Sequence, residues 1–498
     1  MISDDKTLSA TVTSPSPLIP APFSFTRELS GQFNGQKIEY RAVASETYIR
    51  DESATPVANF FTIAYLKSRV DDVSMRPVTF IFNGGPGSSA QWLHMGAFGP
   101  KRVEIPSEPN NLGAPPYPIV DNPLSILDVT DLVFIDPIGT GYSCMPGGKD
   151  PKRYWGLWED ARSIADFIQT WITDQQRWNT PKYLVGESYG TTRASLVAEI
   201  LSDRYIALNG VVLIAAVLDY QNSRPRAGDG GILSYASFLP TYAATAWYHG
   251  KVSREGRTLE SFLHEVRAFA RTDYALALVA NHYRLDSSDR TRITARLASY
   301  TGLSEAYLSQ SKLRIPVERF FKELLRGDGL VIGRLDGRYT GIEPESAGES
   351  AESDTTFDSI GSAFTAAMHT QLNDLGVRME RPYLPMTDID DRWNWLMQEK
   401  ALNGGAYVNV VPSLGRAMRH NKDLRVLVAS GYYDLATPFF GAENALSQDG
   451  VVHERITYTF YEVGHMIFLH EPSRAQFLHD VRHFIHAGGS PGRCKLTK

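Results

Sequence analysis

Residues 183–190 read Tyr183-Leu184-Val185-Gly186-Glu187-Ser188-Tyr189-Gly190, an apolar, strand-like run that meets a tight turn with a serine at its apex. Gly186 and Gly190 flank Ser188 in the G-x-S-x-G spacing of a nucleophile elbow, where a strained backbone leaves no room for side chains beside the serine. The residues from Tyr189 to Leu201 carry a helical pattern. The amide after the serine would then stand at a helix N-terminus and could face a developing oxyanion. By itself Gly-x-Ser-x-Gly is also an ordinary polar turn. The strand before it and the helix after it make Ser188 a candidate nucleophile.

Upstream, Pro77-Val78-Thr79-Phe80-Ile81-Phe82 is nearly all apolar, as a strand covered on both faces of a sheet requires, and it ends in Asn83-Gly84-Gly85-Pro86-Gly87. Such a loop lets backbone amides approach a ligand closely. No Gly-Lys-Ser/Thr closes it, which disfavours phosphate binding. Asp131 to Asp136 reads as another buried strand, followed by Pro137-Ile138-Gly139-Thr140-Gly141, and Lys37–Val43 and Val57–Leu66 are two earlier strand candidates. Residues 1–23, rich in Ser, Thr and Pro, read as an extended tail.

Downstream, Leu157, Trp158, Ala161, Ile164, Ala165, Ile168, Trp171 and Ile172 recur at helical spacing, and Val211 to Leu218 is again apolar. Alternating β and α units predict an α/β fold with a mostly parallel central sheet. From about residue 222 to 400 helical patterns replace the strand-like runs, for example Leu259–Ala270 and Thr291–Ala298. This segment reads as a mainly helical cap inserted between core parts 24–221 and 401–498. The sheet resumes at Leu424–Ala429, whose loop carries Asp434, and Ile456–Tyr461 leads into Val463-Gly464-His465-Met466. A last helix buries Phe477, Leu478, Val481, Phe484 and Ile485, leaving His479, His483 and His486 on a solvated face. Their spacing suits a metal, but no cluster of carboxylate or cysteine ligands accompanies them, so no metal and no cofactor is expected.

The order Ser188, Asp434, His465, each in a loop after a strand, is that of an α/β-hydrolase. A serine hydroxyl is a weak nucleophile until an imidazole takes its proton, and a carboxylate must orient that imidazole. The formal net charge of −6 and the lack of a basic run exclude a nucleic-acid surface. No window reaches the roughly 18 apolar residues of a membrane span. Cys144 and Cys494 allow at most one bridge. No signal peptide is visible, which favours the cytoplasm, with a periplasmic or secreted location if a leader has been removed. The oligomeric state stays open, a homodimer included.

With Asn83-Gly84-Gly85-Pro86-Gly87-Ser88-Ser89, Asp136 to Ser143, Gly186 to Gly190, Gly431 to Asp434 and Gly464-His465-Met466, the chain strongly resembles the serine carboxypeptidase family. The resemblance implies an α/β-hydrolase fold and a Ser188–Asp434–His465 triad. It implies an oxyanion hole from the amides of Gly85 and Tyr189. Asn83, the Gly84 amide and Glu187 would bind the terminal carboxylate of a peptide, and Met466 would border the pocket for its last side chain. A protonated Glu187 would donate to that carboxylate, so acidic pH should favour binding. Ser88 stands where the family usually has a disulfide-bonded cysteine. Thr191, Arg193, Ser195 and Pro438 also depart from the common residues, as in a divergent branch of bacterial style. The expected partner is a peptide with a free C-terminus; an esterase or acyltransferase, or a binding protein with a relic site, are the alternatives.

Overall fold

The computed structural model describes residues 21–223, 225, 231–254, 256–397 and 407–488. The apolar runs become nine strands of one sheet: β1 Ser24–Phe33, β2 Gln36–Arg50, β3 Pro56–Lys67, β4 Val78–Phe82, β5 Asp131–Ile135, β6 Lys182–Glu187, β7 Gly210–Ile214, β8 Arg425–Gly431 and β9 Ile456–Tyr461. Their order across the sheet is β1-β2-β3-β5-β4-β6-β7-β8-β9. Strands β1 to β3 and the β3–β5 pair are antiparallel, and every pairing from β5 onward is parallel. All residues of β4, β5, β6 and β7 are buried, which is why they read as unbroken apolar runs.

Departures from the sequence reading have local causes. Strand β1 is mostly exposed and polar, so it carries no apolar signal. It pairs with β2 through Asn34 and Gly35, both at positive φ, the turn that matches the twist of a two-residue hairpin. The run from Val211 to Leu218 leaves the sheet after Ile214, and Ala215 takes a positive φ.

Helices α1 Leu157–Asp174, α2 Tyr189–Asp203, α3 Ile232–Tyr248, α4 Leu259–Phe269, α5 Ser287–Thr301, α6 Thr355–Asp374, α7 Val411–His420 and α8 Glu471–Gly488 are the longer ones. Helices α1, α2 and α7 share one hydrophobic core with residues of the sheet, and α6 and α8 contribute to another. The α3 to α5 region builds a third core around Phe238, Tyr242, Phe262 and Leu297. Helix α3 escaped sequence reading because nearly every residue from Ser234 to Trp247 is buried, leaving no polar stripe, and because Pro240 argues against a helix.

The segment 222–397 also holds a two-stranded ribbon, Leu330–Ile332 paired with Thr340–Ile342. On α8, His479, His483 and His486 are exposed. Among the described residues no cluster of three His, Cys, Asp or Glu could hold a metal, and no helix is long and apolar enough to cross a membrane. Cys494 and residues 1–20 of the expected tail lie outside the described residues.

Candidate active site

Ser188 sits between β6 and α2 with φ 60° and ψ −129°, a strained backbone for a residue with a Cβ. The turn is pinned by Ser188 N–H donating to Ile214 O at 2.9 Å and Thr191 N–H donating to Ser188 O at 2.8 Å. Glycine is obligatory at Gly186, where a Cβ would lie 2.1 Å from Gly190 O. At Gly84 a Cβ would lie 2.6 Å from both Glu187 O and Tyr189 N, so the glycine-rich loop after β4 runs backbone to backbone against the elbow. As the first residue of α2, Tyr189 has no intrahelical acceptor for its amide.

Asp434 lies in the loop after β8 and His465 in the loop after β9. His465 Nδ1 is 2.8 Å from Asp434 Oδ2, with the two residues 4% and 1% exposed. Asp434 also accepts from the amides of Ala436 and Thr437, each at 2.9 Å, and from the Thr437 hydroxyl at 2.6 Å. Thr437 Oγ1 lies 3.1 Å from His465 Nδ1, so it braces both groups. Burial pulls the His465 pKa down, but the Asp434 carboxylate and its hydrogen bond outweigh burial and leave it above the ordinary imidazole value.

Glu187 is 2% exposed and accepts a short hydrogen bond from Asn83 Nδ2 on Oε2, while its Oε1 has no partner among the described residues. Burial pushes its pKa up to about 7, helped by the Asp434 charge and opposed by His465 and the Asn83 bond. Asn83 Oδ1 accepts from Leu93 N–H at 3.1 Å.

A cavity of about 390 Å³ brings Gly84, Gly85, Glu187, Ser188, His465 and Met466 onto one wall. Asp434 stands behind His465, and Asn83 stands behind Glu187; neither lines the cavity. The Tyr189 ring packs on Trp393 and Trp395. The rest of the lining comes from Pro86, Ser88 and Trp92 and from segment 222–397, which supplies Arg334, Leu335, Phe357 and Met386 to Ile389. A larger, open depression of about 1120 Å³, lined by Arg76, Asp131 and Arg177, lies where β4 and β5 begin, at the opposite strand ends from Ser188. Among the described residues its lining holds no histidine, and its serine–carboxylate contact, Ser68 to Glu28 at 3.2 Å, is exposed, so the smaller cavity is the chemical site.

Two stretches from segment 222–397 fix this geometry, and neither was legible as a motif. In the turn of the ribbon, Arg334 O accepts from Leu435 N–H at 3.1 Å and Leu335 O accepts from His465 N–H at 2.6 Å. Asp336 Oδ2 accepts from Gly464 N–H at 3.0 Å, and Gly337 N–H donates to Tyr433 O at 2.9 Å. One turn is thereby stitched to the loops carrying Asp434 and His465. The second stretch runs between the glycine loops. Thr387 N–H donates to Gly87 O at 2.9 Å, Ser89 N–H to Pro385 O at 3.0 Å, and Gly141 N–H to Leu384 O at 2.7 Å. These backbone bonds hold the position where Ser88 replaces the expected cysteine. Asp136 anchors the same loops by accepting from Ala90 N–H at 2.8 Å, and its carboxylate fills the space a Cβ on Gly141 would need.

Arg193, another departure noted in the sequence, is fully buried on α2. Its Nε donates to Asp160 Oδ2 at 2.7 Å, and its Nη1 donates to the carbonyl of Asn83, tying the glycine loop to two helices. Arg193→Met keeps the bulk but leaves Asp160 buried and unpaired. The variant is expected to lose about 3–5 kcal/mol of stability in urea unfolding; a loss below about 1 kcal/mol would mean that the pair contributes little.

A family model described as serine carboxypeptidase matches residues 46–465 of the chain. No curated protein matches it in sequence. Similar solved structures include a prohormone-processing carboxypeptidase from Saccharomyces cerevisiae, 14% identical, with 90% of this chain and 91% of that chain covered at a TM-score of 0.53. A proline iminopeptidase from Mycobacterium smegmatis is 12% identical, with 93% and 99% covered at a TM-score of 0.35. The first likeness speaks for the fold, which with the strand order above is an α/β-hydrolase fold.

Proposed function

Because the chain belongs to the serine carboxypeptidase family, and is a serine-type carboxypeptidase on that ground, we propose that it releases C-terminal residues of peptides through an acyl-enzyme on Ser188. The observation that carries this reading is that His465, paired with Asp434 at 2.8 Å, lines the same cavity as Ser188 and Glu187. Asp434 fixes the proton on Nδ1 and leaves Nε2 to take the Ser188 proton as Oγ attacks the last peptide carbonyl. The amides of Gly85 and Tyr189 receive the oxyanion. His465 then gives the proton to the departing amine, and a water activated by the same imidazole cleaves the ester and restores Ser188.

Specificity for a chain end rests on Glu187. Protonated, it donates to the substrate carboxylate beside the Gly84 amide, while Asn83 holds its other oxygen. Segment 222–397 acts as a cap that admits a chain end rather than a continuous strand, a role supported by the cavity walls it supplies.

The pH dependence follows in sign. Glu187, with a pKa of about 7, keeps its proton at acidic pH and loses it as pH rises, so repulsion should raise KM for free C-termini through neutrality. His465 must be neutral to act, and its raised pKa should reduce kcat as pH falls. Glu187→Gln keeps a donor without an ionisable proton and should flatten the KM profile. Profiles for a peptide and its C-terminal amide, with wild type and variant, are the test. Equal wild-type cleavage of the two peptides would defeat the carboxylate clamp and favour an esterase or endopeptidase.

A further inference from the structure

Among the described residues, the site holds one side-chain cation that the reaction does not use. Arg334 lies in the turn of the ribbon and lines the cavity with Ser188, Glu187 and His465. Its backbone is fixed at both ends, N–H to Asp354 Oδ1 at 3.0 Å and carbonyl to Leu435 N–H at 3.1 Å. Its guanidinium, by contrast, forms no hydrogen bond or ion pair among the described residues. Asp354 feels the Arg334 charge, but its oxygens are committed to the amides of Arg334, Leu335 and Thr356. Arg338, four residues on in the same turn, shows the contrast: its guanidinium holds Asp336 through two nitrogens at 2.7 and 3.0 Å.

A half-buried guanidinium without a hydrogen-bond partner has lost hydration and gained only a through-space attraction to Asp354 in return. An arriving anion would complete it, and its planar fork suits a carboxylate. Asp388, exposed at the cavity rim, is screened by water and is a weak competitor. If Glu187 and the Gly84 amide take the main-chain carboxylate, as proposed above and on which this step rests, the remaining carboxylate of a peptide is an acidic side chain.

We propose that Arg334 selects peptides carrying Asp or Glu at one of the two residues flanking the scissile bond. The turn that carries it is bonded to the loops of both Asp434 and His465, so the backbone from which the guanidinium reaches is held at a fixed place relative to the reacting bond.

The test uses two sets of N-blocked peptides, one varying the last residue and one the penultimate residue among Asp, Asn and Lys. In wild type, kcat/KM for Asp exceeds that for its isostere Asn in one set, and that set locates the subsite. Arg334→Gln should lower the Asp-to-Asn ratio about 10- to 100-fold, and Arg334→Glu should turn the preference toward Lys. An unchanged ratio in both sets overturns the inference. So does an equal rise of KM for every free C-terminus, which would place Arg334 on the main-chain carboxylate. Calorimetric binding of the same Asp and Asn peptides to Ser188→Ala reads the preference without turnover. Equal wild-type cleavage of free and amidated peptides would instead sink the carboxypeptidase reading, while the Asp-to-Asn ratio on those peptides still reports on Arg334 separately.

Discussion

Ser188→Ala should lower peptide turnover by roughly four to six orders of magnitude while leaving the protein folded. The hydroxyl is the only group the variant removes. The bonds that hold the elbow, Ser188 N–H to Ile214 O and Thr191 N–H to Ser188 O, are made by backbone and survive. Alanine meets the same strain at φ 60° as serine, so the turn gains no new conflict. Residual turnover should come from binding and from the amides of Gly85 and Tyr189, which the substitution leaves in place. Two measurements check this: kcat/KM on a free C-terminal peptide, and covalent labelling by a fluorophosphonate. Labelling that persists in the variant, with turnover intact, would assign the nucleophile to another residue.

The parts of this site that sequence reading reached are those encoded locally. The elbow declares itself because Gly186 is forced by a contact four residues away, whereas Gly190 packs on the carbonyls of Phe82 and Asn83 and Gly84 touches the elbow directly, so that each of these glycines leaves its mark in a short motif. Strand β9 falls at Ile456–Tyr461, where its apolar pattern ends in the loop of His465. What sequence reading missed depends on partners far along the chain. Nothing in Gly333-Arg334-Leu335-Asp336-Gly337 announces that its carbonyls and carboxylate will meet the amides of residues 435, 464 and 465. Phe357 and Met386 reach the cavity by the same long-range route. Thr437 is an intermediate case. A threonine three residues after Asp434 is a local signal, since its amide and hydroxyl can both turn back to the carboxylate, as they do here. Strand β1 was missed for the opposite reason: its Asn34-Gly35 turn was a local signal, but its exposed polar residues supplied no apolar pattern beside it.

Asp434→Asn should cost about 10⁴-fold in kcat with little change in KM, because its defect is the placement of a proton. In the wild type both carboxylate oxygens accept: Oδ1 from the amides of Ala436 and Thr437, and Oδ2 from the Thr437 hydroxyl and from His465 Nδ1. An amide side chain must turn its oxygen toward the two backbone donors, which cannot rotate. Its NH₂ then faces Nδ1 and requires that nitrogen to accept. The imidazole proton moves to Nε2, the atom that must receive the serine proton, and the base is disabled while the fold stays nearly the same. Thr437 sharpens the test, since its hydroxyl can donate to Nδ1 in the variant and reinforce the wrong tautomer. Thr437→Val in the Asp434→Asn background should therefore recover part of the lost kcat, whereas Thr437→Val alone should reduce it by removing a donor from Asp434. Near-normal kcat in Asp434→Asn would mean that another group orients His465, and the assignment of Asp434 to the triad would have to be withdrawn.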